Sequence, residues 1–184
     1  MKTFDVIALG ELNVDLILNR IAGFPEVGKE IFARDMICTL GSSTAIFAAN
    51  VSALGARTAF AGMIGRDAFG ELVRGSLEAR GVDTRYVIEA ADRATGVTVV
   101  MSYGEDRANV TYPGAMEALR FADLDPEIFL SARHIHLSSL FMQPGLLADI
   151  VPILRAVHDG GATVSLDTQW DPAEEWRIDC REVL

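Results

Sequence analysis

The pattern of apolar segments along these 184 residues predicts an α/β domain: an open, mostly parallel sheet flanked by helices, with a small second sheet standing off it. Three observations carry that reading. Short apolar runs such as FDVIAL (4–9) and TVSL (163–166) alternate with helical stretches, as strands covered on both faces do. Two segments, near 29–40 and 96–112, break the alternation, and the second carries a hairpin signal about the turn Gly104-Glu105-Asp106-Arg107. A turn of small residues, Gly41-Ser42-Ser43-Thr44, opens directly into an alanine-rich helix that ends at Leu54-Gly55.

Taken in order, the first strand ends at Gly10, and Glu11, Asn13 and Asp15 then alternate with Leu12, Val14 and Leu16. Period two places the three polar side chains on one face. An Asn and an Asp two residues apart can grip adjacent hydroxyls of a polyol, since Asp accepts two hydrogen bonds and Asn both donates and accepts; a solvent-facing edge strand reads the same way. Residues 18–40 carry turns at Gly23, Pro25 and Gly28 and short strand-like runs at 30–34 and 36–40. In the helix at 41–55, Ser43 or Thr44 is the expected cap, and Ala45, Ala48, Ala49 and Ala53 make a thin face for close packing. The bare turn would present unpaired N–H groups and a positive helix end to an oxygen-rich or anionic ligand, or would be an ordinary strand-to-helix turn. Then come a strand at 58–63, a helix over 71–80 closed by Gly81, and brief strands at 86–88 and 95–103 with a return at 108–112. A short helical stretch over 123–129, a strand at 134–140, a long helix over 144–158 and a strand at 163–167 complete the pattern.

Composition narrows the function. A net charge of −10 with no basic run argues against nucleic acid or an anionic membrane surface as partner. The amino terminus reads as a strand and not a signal peptide, and no run approaches a membrane span. Cys38 and Cys180 lie far apart and are expected to stay reduced in a cytosol. His134 and His136 share a strand face, but no third ligand completes a metal set. The G-x-G-x-x-G fingerprint of a dinucleotide fold is absent after the first strand.

GELNVD, the small-residue turn into a helix ending LG, GMIGRDAFG and the hairpin TGVTVV…GEDRANVTYPGA together resemble the N-terminal half of the PfkB, or ribokinase-like, carbohydrate kinases. The resemblance runs over essentially the whole chain, 1–184. It implies ATP-dependent phosphorylation of a sugar or nucleoside hydroxyl, with ATP and Mg²⁺ as cofactors, a cytoplasmic location and a homodimer formed through a β-sheet lid. It places Asn13, Asp15, Gly41, Ser42 and Thr44 on the substrate and the lid at 18–40 and 96–112, with Thr98, Val100, Arg107 and Asn109 in it. Asp167 matches a strand-end position on the nucleotide side of the cleft. Two positions depart from the family pattern: its second glycine is Ser42 here, and an asparagine that contacts sugar aligns with Ile46. The family's GAGD turn, with its catalytic Asp, and its Asn–Glu magnesium motif do not occur, so no catalytic residue and no metal ligand is expected in this chain, and the C-terminal half of the fold is expected to be missing. Two readings stand: the substrate-binding half and lid of a kinase, or a non-catalytic sugar-binding or dimerisation fragment.

Overall fold

The computed structural model describes residues 2–178, so Cys180 lies outside the described residues. In chain order the strands are β1 (Phe4–Gly10), β2 (Asn13–Asn19), β3 (Asp35–Leu40), β4 (Thr58–Gly65), β5 (Asp83–Ala90), β6 (Gly96–Tyr103), β7 (Asp106–Tyr112), β8 (Ala132–Ser138) and β9 (Thr163–Asp167). The helices are α1 (Ser43–Ala53), α2 (Ala68–Glu78), α3 (Glu127–Ser131), α4 (Pro144–Ala148) and α5 (Ile150–Asp159).

The main sheet runs β5-β4-β1-β8-β9, and every neighbouring pair is parallel. Its strands are apolar on both faces because each face has its own core. Ile7, Leu9, Ala59, Ala61, Ile135 and Leu137 point to one, with α5 and the segment 114–124. Ala8, Phe60 and Ile64 point to the other, with α1 and α2. The alanine face of α1 permits a close approach: a Cβ on Gly10 would lie 2.5 Å from Thr44 Oγ1. Gly55 closes α1 at φ 96°, where glycine costs least.

The second sheet runs β3-β2-β6-β7, with β2 parallel to β6 and the outer pairs antiparallel. It begins at Asn13, so Asn13 and Asp15 are residues of this sheet and not an extension of β1. The run 30–34, expected as a strand, is not one; only Arg34 N–H reaches Asn19 O, at 3.0 Å. Pairing fixes two faces. Thr39, Asp15, Thr98 and Thr111 stand in register on one, followed by Ile37, Ile17, Val100 and Asn109. The other carries Cys38, Leu16, Val99 and Val110, then Met36, Leu18, Met101 and Ala108.

The GRDAFG stretch is the knot that roots this sheet. Asp67 caps α2 by accepting from Gly70 N at 2.8 Å, and also accepts from Thr95 N and Thr95 Oγ1, both at 2.8 Å. Gly65 N donates back to Thr95 Oγ1 at 2.9 Å. Gly70 must be glycine, since a Cβ there would lie 2.3 Å from Gly65 O. Burial pushes the Asp67 carboxyl up, but the hydrogen bonds from Thr95, Gly70 and Phe69 outweigh it and hold it below the usual carboxylate range.

The long helix expected over 144–158 is two helices meeting at Asp149. Pro152 has no N–H for the Ala148 carbonyl four residues back, so the ladder is interrupted there. Asp149 accepts from Arg120 Nε at 2.8 Å and Phe121 N at 3.1 Å instead.

Candidate functional site

In the main sheet β1 has β4 on one side and β8 on the other, so the chain winds first one way from β1 and then the other. Such a switch point leaves a crevice outside the carboxyl ends of the two central strands. A cavity of about 760 Å³ opens at that place. Glu11, Ser42, Ser43 and Ser139 form its floor, and the inward face of the second sheet contributes Asn13, Asp15, Thr98, Val100, Arg107, Asn109 and Thr111. Ile46, Phe141, Met142 and Trp170 stand at its sides.

Asn13 is buried and donates through Nδ2 to Asp15 Oδ1 at 3.1 Å and to Thr98 Oγ1 at 2.9 Å. Thr98 and Thr111 hydroxyls are 3.0 Å apart. Asp15 is thereby oriented through one oxygen, and among the described residues no donor occupies its Oδ2. Burial raises the Asp15 carboxyl above its ordinary value, against the hydrogen bond from Asn13 and the charge of Arg107. Gly41 fits the same corner only because it lacks a side chain: a Cβ would meet Asp15 Oδ1 at 2.4 Å and Asn13 Nδ2 at 2.7 Å.

The start of α1 is built differently from the expectation. Ser42, not Ser43 or Thr44, is the cap; its hydroxyl accepts from Ala45 N at 2.9 Å and donates to Glu11 O at 2.7 Å. Ser42 sits at φ 67°, a backbone region that favours glycine, so this serine is held in strain where glycine would be relaxed. The helix N-terminus is partly occupied by the chain itself. Glu11, buried at 4 % exposure, places its carboxylate there and accepts from the Thr44 hydroxyl, from Thr44 N at 3.4 Å and from Ser43 Oγ at 3.1 Å. Ser43 Oγ also lies 2.7 Å from Ser138 Oγ and 2.8 Å from Ser139 Oγ, tying α1 to the end of β8.

Of the sequence-predicted residues, the cavity gathers Asn13, Asp15, Ser42, Thr98, Val100, Arg107 and Asn109; Gly41 is buried behind Asn13 and Asp15 and does not line it. Thr44 is fully buried and does not line the cavity; it reaches the site only through Glu11. Asp167 lies at the end of β9 outside the cavity lining, its Oδ1 accepting from Gln169 N at 3.0 Å. Ser139 was not singled out by sequence, Ser43 was expected only as a helix cap, and Glu11 was not named as a site residue. Glu11 stood in the same polar alternation as Asn13 and Asp15, but the break between β1 and β2 sends its side chain to α1. His134 and His136 share the hydroxyl of Ser165, at 2.8 and 2.7 Å, and His136 stacks on Phe47, away from the cavity lining.

The model of the pfkB family carbohydrate kinases matches this chain over residues 3–182. The chain belongs to that family. Among curated relatives, the pfkB chain is 27% identical over 134 residues to a protein named "Uncharacterized sugar kinase" of Archaeoglobus fulgidus, covering 73% of this chain and 53% of that one. It is 29% identical over 136 residues to a "Nucleoside kinase" of Methanothermobacter thermautotrophicus, covering 73% and 44%. It is 33% identical over 148 residues to a "Probable fructokinase-3" of Arabidopsis thaliana, covering 74% and 42%. The chain thus spans about half the length of the curated relatives it matches. Among solved structures, a PfkB protein from Polaromonas sp. JS666 superposes with a TM-score of 0.79 at 22% identity, over 92% of this chain and 57% of that one. A fructokinase from Xylella fastidiosa with bound ATP gives 0.77 at 22% identity, over 98% and 57%. The fold is therefore ribokinase-like.

ATP and Mg²⁺, the cofactors of this resemblance, need phosphate-facing N–H groups and oxygen ligands for the ion. Among the described residues no three His, Cys, Asp or Glu side chains are grouped to hold a metal ion, and the second and third N–H groups of α1 are taken by Glu11 and Ser42. No helix among the described residues is long and apolar enough to cross a membrane.

Proposed function

We propose that this chain carries the acceptor-binding part of a cytoplasmic kinase that uses ATP to phosphorylate a hydroxyl of a sugar, a related polyol or a nucleoside. One observation carries the reading: Asn13 and Asp15 line the switch-point cavity, backed by Gly41, with Asp15 Oδ2 open to a donor. A polyol hydroxyl donates to Asp15, and a carboxylate already oriented by Asn13 loses little freedom on accepting it. The second sheet then acts as the lid, with Thr98, Val100, Arg107 and Asn109 facing the bound molecule, and excludes water from it. Asp167 stands on the nucleotide side, beyond the cavity wall. The phosphoryl donor, the metal ion and the catalytic base belong to parts of a kinase that residues 2–178 do not supply.

The outer face of the lid supports a homodimer. Its rows Cys38-Leu16-Val99-Val110 and Met36-Leu18-Met101-Ala108 are apolar, and Met36 and Val110 are 67% and 60% exposed. A contiguous apolar sheet face of this kind marks an association surface.

The test is ligand-induced stabilisation of the 184-residue chain against a panel of sugars, polyols and nucleosides, beside Asp15→Ala. At least one compound raises the melting temperature of the wild type and fails on the variant. Stabilisation that survives Asp15→Ala would overturn the assignment.

A further inference from the structure

His134 and His136 stand two residues apart on β8, and β9 lies beside them in register: His134 opposite Thr163, His136 opposite Ser165 and Ser138 opposite Asp167. Alternation puts these side chains on one face, the one on which Phe47 of α1 packs against His136. His134, His136 and Ser165 are half-buried, and none of them lines the switch-point cavity.

Their hydrogen bonds fix where the protons are. Thr163 Oγ1 donates to Arg133 O at 3.4 Å, so its 2.8 Å contact with His134 Nδ1 is donated by the ring. His134 Nε2 is then the bare nitrogen of a neutral imidazole and accepts from Ser165 Oγ at 2.8 Å. With its own proton used, Ser165 Oγ accepts from His136 Nδ1 at 2.7 Å. One hydroxyl oxygen is held between two ring nitrogens.

We propose that His134 Nε2, His136 Nδ1 and Ser165 Oγ form a binding site for a divalent transition-metal ion, Cu²⁺ or Ni²⁺, on the β8–β9 face. Two ligands about 2.05 Å from one ion and at right angles to each other stand about 2.9 Å apart, against about 3.3 Å for a tetrahedral pair. The separations of 2.7 and 2.8 Å between the hydroxyl oxygen and the two nitrogens match the right-angled pair. Square and octahedral sites of nitrogen and oxygen ligands suit Cu²⁺ or Ni²⁺. On binding, Ser165 turns its proton outward and stays a neutral hydroxyl ligand. His136 carries its proton on Nε2 instead of Nδ1, a nitrogen with no hydrogen bond among the described residues. Both imidazoles then offer lone pairs to the ion. The outer partners are already in place. A metal-bound imidazole donates its other N–H to a neighbouring acceptor, as His134 Nδ1 does to Thr163. Phe47 fixes the His136 ring, with centroids 3.9 Å apart and planes 30° from parallel. Asp167, at the next register position, adds a negative charge to the same face. Along the sequence the two histidines have no third ligand; it comes from the neighbouring strand, 29 positions from His136.

The test is isothermal titration of the untagged 184-residue chain with Ni²⁺ and with Cu²⁺ presented as its glycine complex, beside Mg²⁺, which prefers oxygen ligands. A single Ni²⁺ or Cu²⁺ is expected to bind per chain, and Mg²⁺ is expected not to. His134→Gln and His136→Gln each weaken binding by about tenfold or more, and Thr163→Val, which removes only the outer acceptor, by about tenfold. Cys38→Ser and His158→Gln, at exposed metal-seeking side chains elsewhere, leave it unchanged. Electron paramagnetic resonance of the copper-loaded wild type should show two imidazole nitrogens bound to the ion, a readout that no variant's folding can affect. No binding at millimolar ion, or a copper spectrum with fewer than two nitrogens, would overturn the proposal. So would affinity that falls in Cys38→Ser or His158→Gln but not in the two β8 histidine variants.

Discussion

Gly41→Ala is the sharpest probe of the corner proposed to hold the acceptor. A Cβ at that position lies 2.4 Å from Asp15 Oδ1, 2.7 Å from Asn13 Nδ2 and 2.8 Å from Asp15 Cγ. Ordinary contact begins at 3.4 Å, so the Asp15 carboxylate must retreat by 3.4 − 2.4, about 1 Å. Such overpacking costs about 1–3 kcal/mol of stability. Its effect on binding is larger in kind, because the two side chains meant to meet adjacent hydroxyls are no longer in register with each other. Losing one hydrogen bond to a charged group costs about 1.5–3 kcal/mol, or about 10- to 100-fold in affinity. The matched control is Gly23→Ala, where a Cβ meets nothing within 4 Å and φ is not positive. Chemical denaturation gives the stability change and calorimetry with the best-binding polyol gives the affinity change. Gly41→Ala should lose at least about tenfold in affinity while Gly23→Ala loses none. An affinity change under threefold for Gly41→Ala would refute the claim that this backbone approach shapes the site.

Asp15→Asn should raise the melting temperature at neutral pH while weakening polyol binding by about tenfold or more. Its carboxyl is raised in the folded chain, so ionised Asp15 opposes folding once the pH passes above its ordinary value, and removing the charge relieves that; a fall in melting temperature contradicts it. Asp67→Ala removes the α2 cap and leaves buried Thr95 N–H and hydroxyl without their acceptor, a loss of about 2–4 kcal/mol in urea unfolding. The same carboxyl is held low in the folded state, so its contribution is complete above its unfolded value and disappears as pH falls through the folded one. Stability of the wild type should therefore drop more steeply on acidification than that of Asp67→Asn. Val110→Glu, on the exposed outer face of the lid, should shift sedimentation at micromolar concentration toward monomer; an unchanged distribution places any self-association elsewhere.

The sequence by itself determined the main sheet, the alanine-faced helix and the family. Those properties are written in local periodicity and in motifs that keep their order, and FDVIAL, TAFAGM and TVSL each became a parallel strand where the apolar run stood. That Asn13 and Asp15 share one face was legible for the same reason, since two residues two apart on one strand do so whatever else happens. Tertiary structure alone decided the rest. Glu11 shares the alternation of Asn13 and Asp15, yet it turns away to the N-terminus of α1 because β1 and β2 belong to different sheets. That carboxylate takes the hydroxyl of Thr44, a residue the resemblance placed on the ligand, and Thr44 is fully buried. Pro152 divides one apolar-faced helix into two, an interruption that the helical periodicity masks. GRDAFG identified the family without revealing its work, because Thr95, the partner of Asp67, lies 28 positions away. The common cause is distance along the chain: periodicity reports which face a residue takes on its own element, and only the packed fold reports what meets that face.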